Sequence, residues 1–145
     1  MQSKITEPTS SLLLLLNLFK AQTVINRKFD GKVSAHGIGA NDFMILHHLV
    51  HAEGRKLRRI DLADLVGVTA SGVTRMLAPM EKIGLVTRER NERDARISYV
   101  ILAPGGKRVY EDALITANHF AEGILAGTNA ARAEKLSDFL AGITG

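Results

Sequence analysis

Residues 59–77 read RIDLADLVGVTASGVTRML, and this stretch decides the fold. Two short helices that cross steeply need a small residue where they touch, apolar residues that lock them together, and a glycine at the turn for its backbone freedom. Leu62 and Val66 face inward from the first helix, and Ala63 is the small contact residue. Gly67 sits at the turn, Val68 plugs the gap below it, and Val73 and Met76 face back from the second helix. Thr69 is placed to cap that second helix, which the periodicity carries to about Ile83. Every position that a helix-turn-helix requires is filled.

The outward face of the second helix is then Ala70, Ser71, Gly72, Thr74 and Arg75. Small and hydroxyl side chains let a helix lie close in a major groove. Arg75 can reach a guanine edge or a phosphate, while Ser71 and Thr74 can bond phosphates or bases. Thr69 presents the positive end of the helix dipole to the same backbone. Pro79 also falls within this helix, where an interior proline removes a hydrogen bond and bends the axis, here behind the reading face. After Gly84 the period changes to two: Leu85–Arg90 and Ile97–Leu102 are strand-like, and the polar residues 91–95 between them form turns. Arg88, Arg90, Arg93 and Arg96 surround the tip of this hairpin. A basic hairpin beside a reading helix is placed to enter the neighbouring minor groove, whose negative potential attracts arginine.

Working outward, a helix is expected from Ser11 to about Phe29, ended by Asp30-Gly31, with a glycine-containing loop from Val33 to Gly39. Asn41 or Asp42 should cap a second helix that Gly54 stops, and Arg55 to Arg59 reads as a basic connector. Downstream, Pro104-Gly105-Gly106 opens a long helical run, Gly127-Thr128-Asn129 breaks it, and a last helix carries Leu136, Phe139, Leu140 and Ile143. The order α, α, α, α, β, β, α, α makes the chain mainly α with a small β-hairpin wing. We read one domain over 1–145, with a winged helix-turn-helix DNA-binding lobe at 38–103 flanked by dimerisation helices at 9–37 and 104–145. The terminal helices carry more apolar surface than one small lobe can cover, and such a surplus marks an interface between copies.

Bulk properties fit this reading. The chain has 145 residues, 46% apolar and 23% charged, ordinary for a soluble globular protein. It has no cysteine, which removes disulfide frameworks, zinc–thiolate sites and thiol redox control. The run Leu12–Leu16 is far shorter than the roughly 20 residues a bilayer demands, and no cleavage pattern follows it, so it reads as a buried helix face and the protein as cytoplasmic. Of the net charge of +4, all lies between Arg55 and Arg96, where ten basic residues face six acidic ones. A polyanion is the simplest partner for such a patch.

The segment from Arg58 to Gly106 resembles the MarR family of bacterial transcriptional regulators. The likeness runs through Leu62-Ala63-Asp64-Leu65-Val66-Gly67-Val68-Thr69, Ser71-Gly72-Val73-Thr74-Arg75, Glu81-Lys82-Ile83-Gly84-Leu85-Val86, Asp94-Ala95-Arg96 and Leu102-Ala103-Pro104-Gly105-Gly106. The resemblance implies that Asp94 holds Arg96 in place and that Arg96 enters the minor groove. It also implies a homodimer held by its terminal helices, a pseudo-palindromic DNA site, and repression relieved by a small aromatic or phenolic ligand bound between the dimerisation helices and the reading lobe. Ala103 departs from the family pattern, which has a capping threonine there.

Leu16, Phe19 and Lys20, facing Phe43, Leu46 and His47, are candidates to line that ligand pocket. His47, His48 and His51 cluster on one helix, and His47 and His51 share a face at metal-ligand spacing. With no cysteine, and no carboxylate other than Glu53 or Asp42 at a spacing that could complete a set, they read as a polar helix edge, and no metal or cofactor is expected. No phosphate-binding glycine loop or catalytic triad spacing occurs, so an enzyme is not expected. The competing function is a winged helix that binds protein or RNA without reading DNA.

Overall fold

The structure, a computed structural model, describes residues 3–145. Helix α1 spans Ser10–Val33, and Thr9 caps it by accepting from the Leu12 amide at 3.1 Å. It runs past Asp30-Gly31, the expected stop, and a short 3-10 turn at Ser34–His36 leads to the left-handed Gly37. Gly31 stays out of the left-handed region, so α1 continues through it, and the Asp30 carboxylate accepts from the Ala40 amide at 2.8 Å, tying α1 to the start of α2, Ala40–His51. The N-cap of α2 is Gly39, earlier than expected, and Asp42 acts from inside the first turn by accepting from the Gly39 amide at 2.8 Å.

The expected basic connector contains a strand. Residues Lys56–Arg58 form β1, which leads directly into α3, Arg59–Val66. Gly67 takes the left-handed conformation at φ 79°, as a tight turn between helices requires. Helix α4, Ala70–Lys82, follows, with the Thr69 hydroxyl accepting from the Gly72 amide at 3.0 Å. The hairpin strands are β2, Val86–Arg90, and β3, Ser98–Leu102. The sheet is antiparallel in the order β1-β3-β2, with Leu57 opposite Val100 and Arg88 opposite the same residue from the other side. Helix α5 spans Pro104–Ile124 and α6 spans Ala130–Thr144. Ala103 gives α5 no side-chain cap, but Pro104 occupies the first turn, where a missing N–H costs nothing. Gly106 is required here, since a Cβ would collide with the Leu85 carbonyl.

One apolar core holds the lobe together. Val33, Ile45, Leu46, Leu49, Leu62, Val73, Leu77 and Val100 are all fully buried, joined by Tyr110 and Ala113 of α5. The residues assigned from sequence to the helix-turn-helix contact behave accordingly: Leu62, Ala63, Val66 and Val73 are buried, and Val68 and Met76 pack against them half-buried. Exposed Pro79 lies opposite buried Leu77 and Met80, and α4 continues beyond it to Lys82. The first half of α1 and all of α6 lie outside this core, and the run Leu12–Leu16, expected as a buried face, is exposed because no other element of the chain packs over it among the described residues. Among the described residues, no helix is long and apolar enough to cross a membrane.

Candidate nucleic-acid interface

Helix α4 turns its apolar side inward and leaves Thr69, Ala70, Ser71 and Arg75 exposed, with Gly72 and Thr74 half-buried at the edge of that face. The Thr69 cap satisfies one free amide of the first turn, and its hydroxyl lies 3.3 Å from that of Ser71. The helix therefore presents its N-terminal turn, a small-residue surface and one arginine to solvent. Thr74 differs from its expected role as a free donor. Its hydroxyl donates to the Ala70 carbonyl at 2.9 Å and accepts from Arg59 Nη1 at 2.6 Å.

At the tip of the hairpin, the Asn91 side-chain oxygen accepts from the amides of Arg93 and Asp94, at 2.8 and 3.2 Å, which folds the turn. The Asp94 carboxylate then accepts from the Arg96 amide at 3.0 Å and from its guanidinium at 3.1 and 3.3 Å. The Arg96 guanidinium, and next its amide, hold the Asp94 carboxyl below the usual carboxylate range. Arg96 is thus anchored at one edge while its side chain stays 91% exposed. Arg90 and Arg93 are exposed as well. Arg88 is committed differently: it pairs with Glu81 at 2.6 Å and links β2 to the last turn of α4.

Two of these residues were not singled out from sequence. Arg59 belonged to the expected connector, and only the crossing of α3 over α4 brings it to Thr74. Glu81 stood in the quoted motif without a role, and its partner Arg88 lies seven residues away across a change of secondary structure.

The residues expected to line a ligand pocket separate. Phe43 and His47 border a cleft of about 380 Å³ between α1, α2 and α5, together with Phe29, Phe120 and Asn118. Leu46 is instead fully buried in the core. Leu16, Phe19 and Lys20 sit on the exposed first part of α1 and do not line this cleft. The aromatic wall is continuous, since Phe29 meets Phe43 at 5.3 Å and Phe120 at 5.4 Å between ring centres. His47 Nδ1 lies 2.8 Å from the Tyr110 hydroxyl, which connects α2 to α5. Partial desolvation, then the neighbouring His51 and His48, lower the pKa of His47; desolvation and His51 do the same to His48. The His51 Nδ1 lies 2.8 Å from the His47 carbonyl, as the donor of a helix-edge bond.

The MarR family model matches residues 36–97. The chain is 30% identical over 128 residues to YdgJ, an uncharacterized HTH-type transcriptional regulator of Bacillus subtilis, across 88% of this chain and 75% of that protein. Its fold superposes with a TM-score of 0.83 on Sco3205, a MarR family transcriptional regulator from Streptomyces coelicolor solved in complex with DNA, at 21% identity over 94% of this chain and 91% of that one. It superposes with a TM-score of 0.78 on NadR in complex with 4-hydroxyphenylacetate, at 22% identity over 99% and 98% of the two chains.

Proposed function

The chain belongs to the MarR family of winged-helix transcriptional regulators, and on that premise we propose how its own residues bind DNA and respond to a ligand. It is a DNA-binding regulator. Thr69, Ala70, Ser71, Gly72, Thr74 and Arg75 form the face of α4 that enters a major groove. Arg96, set by Asp94, enters the adjacent minor groove, with Arg90 and Arg93 beside it. Arg88 orients the wing through Glu81 rather than meeting bases. The single observation behind this assignment is that one exposed helix face and one exposed, anchored arginine project from the same rigid core.

Two copies act together. The lobe at 38–103 reads one half-site, and the segments 9–37 and 104–145 pair with those of a second copy, as the exposed Leu136, Phe139, Leu140 and Ile143 of α6 favour. A pseudo-palindromic site follows from that symmetry. Such a dimer represses by occupying DNA, works in the cytoplasm, and binds rather than catalyses. The alternative of an interaction or RNA-binding module finds no support in these relatives.

A small aromatic or phenolic ligand controls the dimer from the cleft at Phe29, Phe43, Phe120 and His47. A mostly apolar, aromatic lining with a few polar groups is the usual make-up of a small-molecule site, and NadR carries 4-hydroxyphenylacetate. The test is selection of bound fragments from the source genome, with and without aromatic acids and phenols. A defined site released by one class of compound is the expected result. Enrichment of no sequence would refute the DNA-reading assignment.

A further inference from the structure

If α4 lies in a major groove and the wing in the neighbouring minor groove, the sugar–phosphate strand dividing those grooves must pass between them. The structure has a cleft of about 530 Å³ in that position, lined on the helix side by Arg59 and Thr74 and on the wing side by Arg88, Arg90, Arg96 and Ser98. Glu81 and Glu89 also line it, but Glu81 is neutralised by Arg88 at 2.6 Å. The cleft keeps an excess of positive charge, as a polyanionic strand demands.

Arg59 stands out within it. It opens α3, and its guanidinium reaches across to α4, where Nη1 donates to the Thr74 hydroxyl at 2.6 Å and to the Ala70 carbonyl at 3.3 Å. A guanidinium has five N–H donors. Among the described residues, its Nε and Nη2 groups make no hydrogen bond to the protein. The Thr74 hydroxyl has both its proton and an acceptor site in use. The threonine is therefore a support for the arginine rather than a reader of bases.

We propose that Arg59 is a phosphate-binding residue of the cleft between α4 and the wing, positioned by Thr74, and that the cleft receives the strand separating the two grooves. The proposal rests on the reading of α4 and the wing as the DNA-facing surfaces. A planar guanidinium held at one nitrogen keeps a free edge for phosphate oxygens, and holding it in advance reduces the entropy lost on binding.

The test uses fluorescence anisotropy on the full-length dimer, with a duplex recovered from genomic selection and a random-sequence duplex, each over a salt series. Arg59→Gln should weaken binding to both duplexes by about tenfold at low salt. It should also reduce the slope of log affinity against log salt by about one. Arg59→Lys should restore most of that slope. Thr74→Val should give a smaller loss, and the double variant should be no worse than Arg59→Gln alone, whereas Thr74→Ser should match the parent. An unchanged salt slope in Arg59→Gln would overturn the proposal, whether affinity is kept or is lost together with melting temperature. A loss confined to the selected duplex would overturn it too, by making Arg59 a base reader. Arg75→Ala and Arg96→Ala in the same series separate the two failures: if they weaken binding and Arg59→Gln does not, the DNA-facing assignment survives and the phosphate site falls.

Discussion

Helices α4 and α6 are nearly the same length, 13 and 15 residues, yet they relate to the chain in opposite ways. Helix α4 buries Val73, Leu77 and Met80 completely and exposes small and polar side chains. Helix α6 buries nothing, and its Leu136, Phe139, Leu140 and Ile143 remain 43–55% exposed. The apolar side of α4 is satisfied within its own chain, so its outer face is free for a polar partner. Among the described residues, none buries the apolar side of α6, and the dimer contact proposed above would cover it.

The contrast can be broken most severely from inside α4. Leu77→Ala should cost about 2–5 kcal/mol of folding stability through lost burial and a residual cavity. Urea unfolding should show that loss within the lobe itself. On α6, Phe139→Asp should weaken self-association by roughly a hundredfold, since a charge would be placed in an apolar contact. Sedimentation across a dilution series should then find monomer where the parent is dimer; an unchanged dimer would mean that α6 is not the contact.

The outer face of α4 sharpens the comparison further. Arg75→Ala should cost about 1–3 kcal/mol of specific binding and relax sequence choice, without changing the dimer. Arg96→Ala should weaken binding by less, about 1 kcal/mol, and mostly without loss of sequence choice. The smallest effect concerns His47 and His48. Their imidazoles are held below the ordinary histidine value in the folded chain, so the unfolded chain binds protons more readily near neutral pH. The stability they contribute is complete above the ordinary histidine range and is lost as pH falls through it toward the lowered folded value. Melting temperature measured from pH 8 down to pH 5 should decline, and His47→Gln should flatten part of that decline.

The segment from Leu62 to Leu102 was legible because its signals are local. Gly67 fixes a turn, Thr69 caps its own helix, and the change of period after Gly84 marks the hairpin. What escaped depends on residues far apart in the chain. Strand β1 has three residues, too few to show an alternation, and exists because Lys56, Leu57 and Arg58 pair with Ile101, Val100 and Tyr99. Asp30-Gly31 looked like a helix end because the partner of Asp30, the Ala40 amide, lies ten residues on. Arg59 could not be placed beside Thr74 without the angle between α3 and α4. Of the residues expected to line a pocket, Phe43 and His47 border the cleft between α1, α2 and α5, where α1 contributes Phe29, which helical spacing alone does not separate from Phe19.

The most direct test of the central claim is dimethyl sulfate protection of the selected duplex, because the reagent marks guanine N7 in the major groove and adenine N3 in the minor groove. The parent dimer should protect guanine N7 within each half-site and adenine N3 in the flanking minor groove, and Arg96→Ala should lose only the second. Protection confined to one groove, or a minor-groove signal that survives in Arg96→Ala, would contradict a helix and a wing gripping neighbouring grooves of one duplex.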